Sequence, residues 1–366
     1  MKRIIISGGG TGGHIFPAIS IADALKRSGT ECEILFVGAL GKMEMERVPK
    51  AGYKIIGLPT AGLQRKLSLK NLALPFKVLR SIGKARKIVR DFKPDVAVGV
   101  GGYASAPLLW AASSMGIPCL IQEQNSFAGL TNKKLGSRVQ KICVAYDGME
   151  KFFPKEKIVF TGNPIRSDIN PPTDAQRAEG YKFYGLDPAK KTILVVGGSL
   201  GARTLNESMQ RWIIGRSKEA DCQILWQSGR YYQSETEAFL KEHPAENVHN
   251  LTFIERMDLA YAVADVIISR AGAGTISELC VAGKATIFVP SPNVAEDHQR
   301  HNALALVEKG AAMMVSDGEA REKLLATAEE LLDDSGKISA MEQAALRLGK
   351  KNAADDIARE VLELCR

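Results

Sequence analysis

Short apolar runs recur along the chain. Each is closed by glycine or small residues and followed by a stretch with helical spacing. The first half gives RIIIS, CEILFVG, PDVAVGVGG, IPCLIQE, KICVAY and KIVFTG. The second gives KTILVVGG, CQILWQSG, NVHNLTFIE, ADVIISRAGAG and ATIFVPSP. Val/Ile/Leu-rich runs without polar alternation suit parallel strands buried on both faces. Their alternation with helical stretches predicts βαβ units. The two halves open alike: RIIISGGGTGGHIFPAISIADALKRSG and KTILVVGGSLGARTLNESMQRWI both read as strand, glycine turn, helix. The pattern predicts an α/β chain of two doubly wound domains facing a cleft. The boundary falls in FTGNPIRSDINPPTD, residues 160–174, which holds three prolines. From about Gln343 the pattern is helical with no further strand, so that segment is open to packing on either domain.

Length agrees, since 366 residues exceed one comfortable core. The six cysteines form no CxxC pair, which points to reduced thiols in a cytoplasmic protein and away from a zinc or disulfide framework. Lys2 and Arg3 precede only three apolar residues, too few for a secretory leader. The 27 residues from Val96 to Gln122 carry no charge, but glycines, serines and prolines interrupt them. They read as strand, loop, helix and strand rather than as a membrane span.

Charge divides the chain. Residues 1–165 carry a net +14 and the remainder −6. Between Glu46 and Asp91 there are many bases and no acid. Such a run is a solvated basic face, or a surface for anionic membrane or nucleic acid. No aromatic interleaving or binding module accompanies it, which disfavours nucleic acid.

Three loops carry candidate chemistry. In the first, Gly8-x-Gly10-x-x-Gly13 formally matches a dinucleotide fingerprint and opens a helix whose free N–H groups suit an anion. The acid that a dinucleotide site wants after the second strand is missing at Val37, Gly38 and Ala39, which counts against a dehydrogenase. No Walker lysine follows Gly13. His14 sits at the helix start as a cap or packing residue, a base, or a phosphate donor. In the second loop, Gly197-x-Ser199-x-Gly201 has the form of a hydrolase nucleophile elbow, but the first half repeats the loop without that serine. In the third, residues 271–275 form a small-residue turn at a helix start, with Glu278 one turn in, where a carboxylate accepts from a ribose diol or simply favours the helix N-terminus. No Asp-x-Asp occurs, so a metal-bridged diphosphate is not supported, and Arg166 with the helix N-termini must carry that charge.

GGGTGGHIFPA, GVGGYASAP, QEQNSFAGLTNK, TGNPIR, VVGGSLGAR, SRAGAGTISE and EDHQRHNA occur in that order along nearly the whole chain. In this the sequence resembles the MurG family, the UDP-N-acetylglucosamine transferases that convert lipid I to lipid II. The resemblance implies Rossmann-like domains of the GT-B type: 1–164 with a C-terminal helix, about 345–366, for the acceptor and the membrane, and 165–344 for UDP-GlcNAc. It implies inverting transfer of GlcNAc to the C4 hydroxyl of the muramyl sugar, with no cofactor and no metal. By motif match, Ser199 and Arg166 would contact the diphosphate and Ile254 the uracil. Ala273, Gly274, Thr275, Ile276, Ser277 and Glu278 would hold sugar and phosphate, with Glu278 on the ribose, and Gln299 would read GlcNAc. Thr11, Gly12, Gly13 and Asn125 would lie on the acceptor side, Asn125 also within reach of the sugar, with His14 as base or phosphate contact. His298 stands where a second glutamine is often found. The basic-apolar stretch 63–90 would lie on the anionic inner leaflet or pack on its own domain, giving a peripheral protein on the cytoplasmic face. A UDP-GlcNAc 2-epimerase and a noncatalytic sugar-nucleotide binder are the competing readings.

Overall fold

The computed structural model describes residues 1–60, 74–198 and 200–365. The chain divides into two compact units, Met1–Arg166 with Lys350–Arg366, and Ser167–Gly349.

Among the described residues of the first unit, seven strands form one sheet in the order β3-β2-β1-β4-β5-β6-β7. They are β1 Lys2–Ser7, β2 Cys32–Ala39, β3 Lys54–Leu58, β4 Val96–Gly99, β5 Cys119–Glu123, β6 Lys141–Val144 and β7 Ile158–Phe160. All pair in parallel, with Ile4–Ile6 of β1 set between Ile34–Phe36 and Val96–Val98. Side chains alternate between faces, so β1 feeds two cores. Ile5 packs with Ala85, Ile88 and Val89 of α3 (Leu74–Phe92) and with Leu108 and Leu109 of α4 (Ser105–Ser114). Ile4 and Ile6 pack with Ile15, Ile21 and Leu25 of α1 (Gly12–Arg27) and with Ile357 and Val361 of α14 (Ala353–Leu364). The charge-free run 96–122 is β4, α4 and the start of β5, buried inside the unit. The last helix is tied down by Lys141, which bonds both Glu360 and Glu363.

The second unit repeats the plan. Its described residues form six parallel strands in the order β10-β9-β8-β11-β12-β13. These are β8 Lys191–Val196, β9 Cys222–Gln227, β10 Val248–Leu251, β11 Val266–Ser269, β12 Thr286–Phe288 and β13 Met313–Met314. Ile193, Val195, Trp226 and Ile268 pack with Leu205, Met209 and Trp212 of α7 (Arg203–Arg216) and with Leu324 and Leu331 of α12 (Ala320–Asp333). A capping box between Thr173 and Gln176 starts α6 (Asp174–Tyr184). The chain returns to the first unit later than residue 345. In α13 (Ser335–Leu348), Leu346 covers Gly283, and the following Gly349 lies against the Cys280 carbonyl.

In each sheet the strand order reverses, between β1 and β4 and between β8 and β11. A doubly wound sheet binds its ligand outside the carboxyl ends of the strands at such a point. Two edge strands are absent from the apolar runs read in the sequence. β3 is broken by Lys54 and Gly57 and is buried only toward its end, and β13 is two residues long.

Candidate active site

In the first unit, the loops after β1 and β4 meet because their strands are neighbours. Gly9 donates to the Gly101 carbonyl at 3.3 Å, and Val100 to that of Ser7 at 2.7 Å. Gly12 and Gly13 open α1, where N–H groups have no intrahelical acceptor. Thr11 is its N-cap in extended geometry, with no side-chain cap bond, which leaves the helix end to a ligand. The His14 imidazole, half-buried, lies over Gly101. A Cβ at 101 would stand 2.7 Å from its Cδ2, and the backbone there has φ +97°. His14 Nδ1 is 3.1 Å from the Gly9 carbonyl and 3.3 Å from Thr11 Oγ1.

Asn125 follows β5 and is held by a buried carboxylate. Glu123 accepts from the Asn125 amide (3.1 Å) and side chain (3.3 Å), from Gly129 N (3.1 Å) and from Asn132 Nδ2 (2.8 Å). Burial pushes the Glu123 carboxyl above its ordinary pKa, against the pull of those four bonds. A layer of amides continues the network. Gln122 donates to Asn163 Oδ1, Asn163 to the Gln124 carbonyl, and Gln124 to the Val100 carbonyl at 2.7 Å. Asn125 is thus linked to the loop under His14. Arg166, half-buried, ends the first of the two chain segments that make up this unit.

In the second unit, α10 (Ala273–Ala282) starts after Gly272. Ala273, Gly274 and Thr275 are half-buried, and a Cβ at Gly274 would meet nothing within 4 Å. Ile276 is a core side chain, so only its backbone is available to a ligand. The Ser277 hydroxyl donates to the Ala273 carbonyl of its own helix at 3.0 Å. Glu278 Oε2 accepts from the Tyr261 hydroxyl at 3.1 Å, from α9 (Met257–Val263). Ile254 lies buried in the loop between β10 and α9. Gln299, in α11 (His298–Val307), accepts from Ser291 N at 2.9 Å through Oε1. Ser199 lies outside the described residues. Among the described residues no group of three or more His, Cys, Asp or Glu side chains could hold a metal ion.

Residues 4–144 match the glycosyltransferase family 28 N-terminal domain, and residues 192–361 match its C-terminal domain. A relative from Parabacteroides distasonis, named UDP-N-acetylglucosamine--N-acetylmuramyl-(pentapeptide) pyrophosphoryl-undecaprenol N-acetylglucosamine transferase, is 53% identical over 362 residues, 99% of this chain and 98% of its own. The chain belongs to glycosyltransferase family 28. A crystal structure of Acinetobacter baumannii MurG superposes with a TM-score of 0.80 at 30% identity, covering 99% of this chain and 100% of that one. A UDP-N-acetylglucosamine 2-epimerase shares the fold alone, at TM-score 0.66 and 15% identity over 99% of this chain and 96% of its own. Family 28 membership sets aside the hydrolase-elbow and dehydrogenase readings, and the two α/β units are those of a GT-B glycosyltransferase.

Three residues of this family 28 chain receive no role from the sequence alone. Glu123 stands inside QEQN, but a strand of apolar residues gives no sign that its one acid points inward. Arg270 holds the Val289 and Pro290 carbonyls and Asp317, which also accepts from Thr204. It ties the start of α10 to the loop that carries Ser291, one position before the small-residue turn. Glu44 is fully buried beside the first glycine loop, and only its three-dimensional neighbours reveal it.

Proposed function

We propose that this glycosyltransferase moves GlcNAc from UDP-GlcNAc to the C4 hydroxyl of the muramyl residue of lipid I, giving lipid II for peptidoglycan. The observation that carries this reading is the match along 99% of the chain to a transferase of that name. The donor would occupy the second unit. The diphosphate sits at the open start of α10, where amides and helix dipole favour an anion, and Ser199, outside the described residues, is a further candidate contact by motif match. Glu278, oriented by Tyr261, accepts the ribose hydroxyls. Ile254 meets uracil through its backbone, and Gln299 donates from its amide nitrogen to GlcNAc. Arg166 supplies positive charge to the departing diphosphate.

The acceptor would occupy the first unit. Gly12 and Gly13 offer amides to the lipid pyrophosphate, beside Thr11 and Asn125. A carbonyl oxygen only accepts, so we read the contact of His14 Nδ1 with Gly9 O as a donated bond, with the proton on Nδ1 and the lone pair on Nε2. His14 then takes the proton from the C4 hydroxyl. The hydroxyl oxygen bonds to the anomeric carbon from the face opposite UDP, the bond from that carbon to the β-phosphate oxygen breaks, and its electron pair leaves with UDP. The configuration inverts.

The substrate's lipid brings the enzyme to a membrane. Helix α3 turns Ala85, Ile88, Val89 and Phe92 into its own core. Its outer side presents Arg80, Arg86, Lys87 and Arg90, with Val78 and Leu79 exposed near its start. We read this side as resting on the anionic inner leaflet, which makes the protein peripheral on the cytoplasmic face. Part of the stretch 63–90 falls outside the described residues. No described helix is long and apolar enough to cross a membrane.

The test is UDP release from UDP-GlcNAc in EDTA, with and without a lipid I analogue. Release that requires the analogue is expected. Release without it would favour an epimerase or a hydrolase, and none in either case, with UDP-GlcNAc still bound, would favour a noncatalytic binder.

A further inference from the structure

Glu44 begins the short helix α2 (Glu44–Lys50) and is fully buried. One carboxylate oxygen accepts from Ala39 N at 2.9 Å, at the end of β2. The other accepts from Gly10 N at 2.9 Å, inside the first glycine loop. The loop is shaped to it: a Cβ on Gly9 would fall on the Glu44 carboxylate itself.

The peptide that donates to Glu44 is the one whose carbonyl meets His14. Gly9 C=O and Gly10 N–H belong to one peptide unit, and no peptide bond of the described residues is cis. In a trans unit the two groups point in opposite directions. The carboxylate therefore sits at one end of this unit and the imidazole at the other. A carboxylate on the N–H polarises the peptide and makes its carbonyl oxygen a stronger acceptor. Thr11 Oγ1, at 3.3 Å, competes for the same ring nitrogen. If its hydroxyl donated to Nδ1, the proton would be on Nε2, and two lone pairs would oppose each other across the Gly9 contact.

We infer that Glu44 is a positioning residue for His14: acting through the Gly9–Gly10 peptide, it holds the imidazole in the Nδ1–H form with Nε2 as the proton acceptor. This rests on the reading of His14 as the acceptor-side base. It works as a carboxylate–histidine pair does, with a peptide inserted between the partners. It also explains why the acid is not at the end of β2, where a dinucleotide site would place it. Here the acid comes five residues after Ala39 and turns back under the loop.

The experiment uses full-length protein labelled with ¹⁵N-histidine, the His14 signals being identified by their loss in His14→Asn. Wild type is expected to show the Nδ1–H tautomer, and the Nε2–H tautomer would overturn the inference. Glu44→Gln is expected to move the tautomer toward Nε2–H and lower kcat about tenfold, the scale of one orienting hydrogen bond to a charge. Its KM for UDP-GlcNAc, set in the other unit, stays unchanged. Glu44→Asp, which keeps the charge, recovers part of the loss and serves if Glu44→Gln does not fold. An unchanged tautomer and kcat in a folded Glu44→Gln protein would also overturn it. If His14→Asn turns over normally, the base reading fails, while the tautomer still decides whether Glu44 positions the ring.

Discussion

The Tyr261 hydroxyl donates to the Glu278 carboxylate at 3.1 Å, joining α9 to the second turn of α10. The same carboxylate is the one assigned to the ribose, so the phenol sets which way it faces. Tyr261→Phe removes one hydrogen bond to a charged group, worth about 1.5–3 kcal/mol when fully formed. We expect KM for UDP-GlcNAc to rise roughly tenfold with kcat little changed, read by steady-state kinetics. Glu278→Ala raises it further.

Glu123 receives four donors and no acceptor. A glutamine at 123 would turn an NH₂ group toward one or more of those donors. Glu123→Gln is therefore expected to destabilise the protein by about 1–3 kcal/mol, seen as a lower midpoint in urea. It also loosens Asn125 and lowers turnover. A midpoint equal to wild type would mean that the four bonds do not hold the loop.

Two glycines make a contrast. Gly101→Ala must place a Cβ against the imidazole of His14 at a left-handed backbone position. A loss of roughly 1–3 kcal/mol of stability and most of the activity is expected. Gly274→Ala meets open space, so the fold survives, and alanine favours the helix by up to about 1 kcal/mol. Any effect of Gly274→Ala on KM for UDP-GlcNAc then reports how closely the diphosphate approaches α10.

His249, in β10, is partly buried, and that burial lowers its pKa below the ordinary 6.5. The folded state prefers the neutral ring and the unfolded chain binds the extra proton, so this stability is present above pH 6.5 and is lost as pH falls through the folded value. Thermal midpoints measured above and below that window should fall less on acidification in His249→Gln than in wild type. Equal slopes would remove His249 from the acid limb.

The outer charges of α3 make no contribution to the core. Replacing Arg86, Lys87 and Arg90 by Ala should leave the thermal midpoint nearly unchanged. It should weaken pelleting with phosphatidylserine vesicles at low salt by about 1 kcal/mol per charge. Unchanged pelleting would assign the membrane contact elsewhere.

The sequence was most legible where burial is periodic. The central strands of both sheets, all with buried side chains, were readable as apolar runs. β3 was not, because an edge strand buries one end only and Lys54 and Gly57 break the run. β13, with two residues, has no period at all. In the candidate site, loops that use backbone rather than side chains were legible through their glycines. The groups that hold those loops were not: Glu44 and Arg270 bond main chain or residues far away in sequence, Glu123 bonds the loop that follows its own strand, and charge alone reads as surface.

Apolar spacing and glycine placement therefore define the kind of chain this is: repeated strand–loop–helix units, two halves with the same opening, and loops suited to phosphate. Which loops are neighbours follows from strand pairing in three dimensions. β1 pairs with β4 across the reversal of strand order, and that pairing sets Gly101 beneath His14. The physical reason is that periodicity records how deeply each residue is buried, a property of one position. Pairing order, and the hydrogen bonds of a buried carboxylate such as Glu44, are properties of two distant positions, which appear only when the chain has closed on itself.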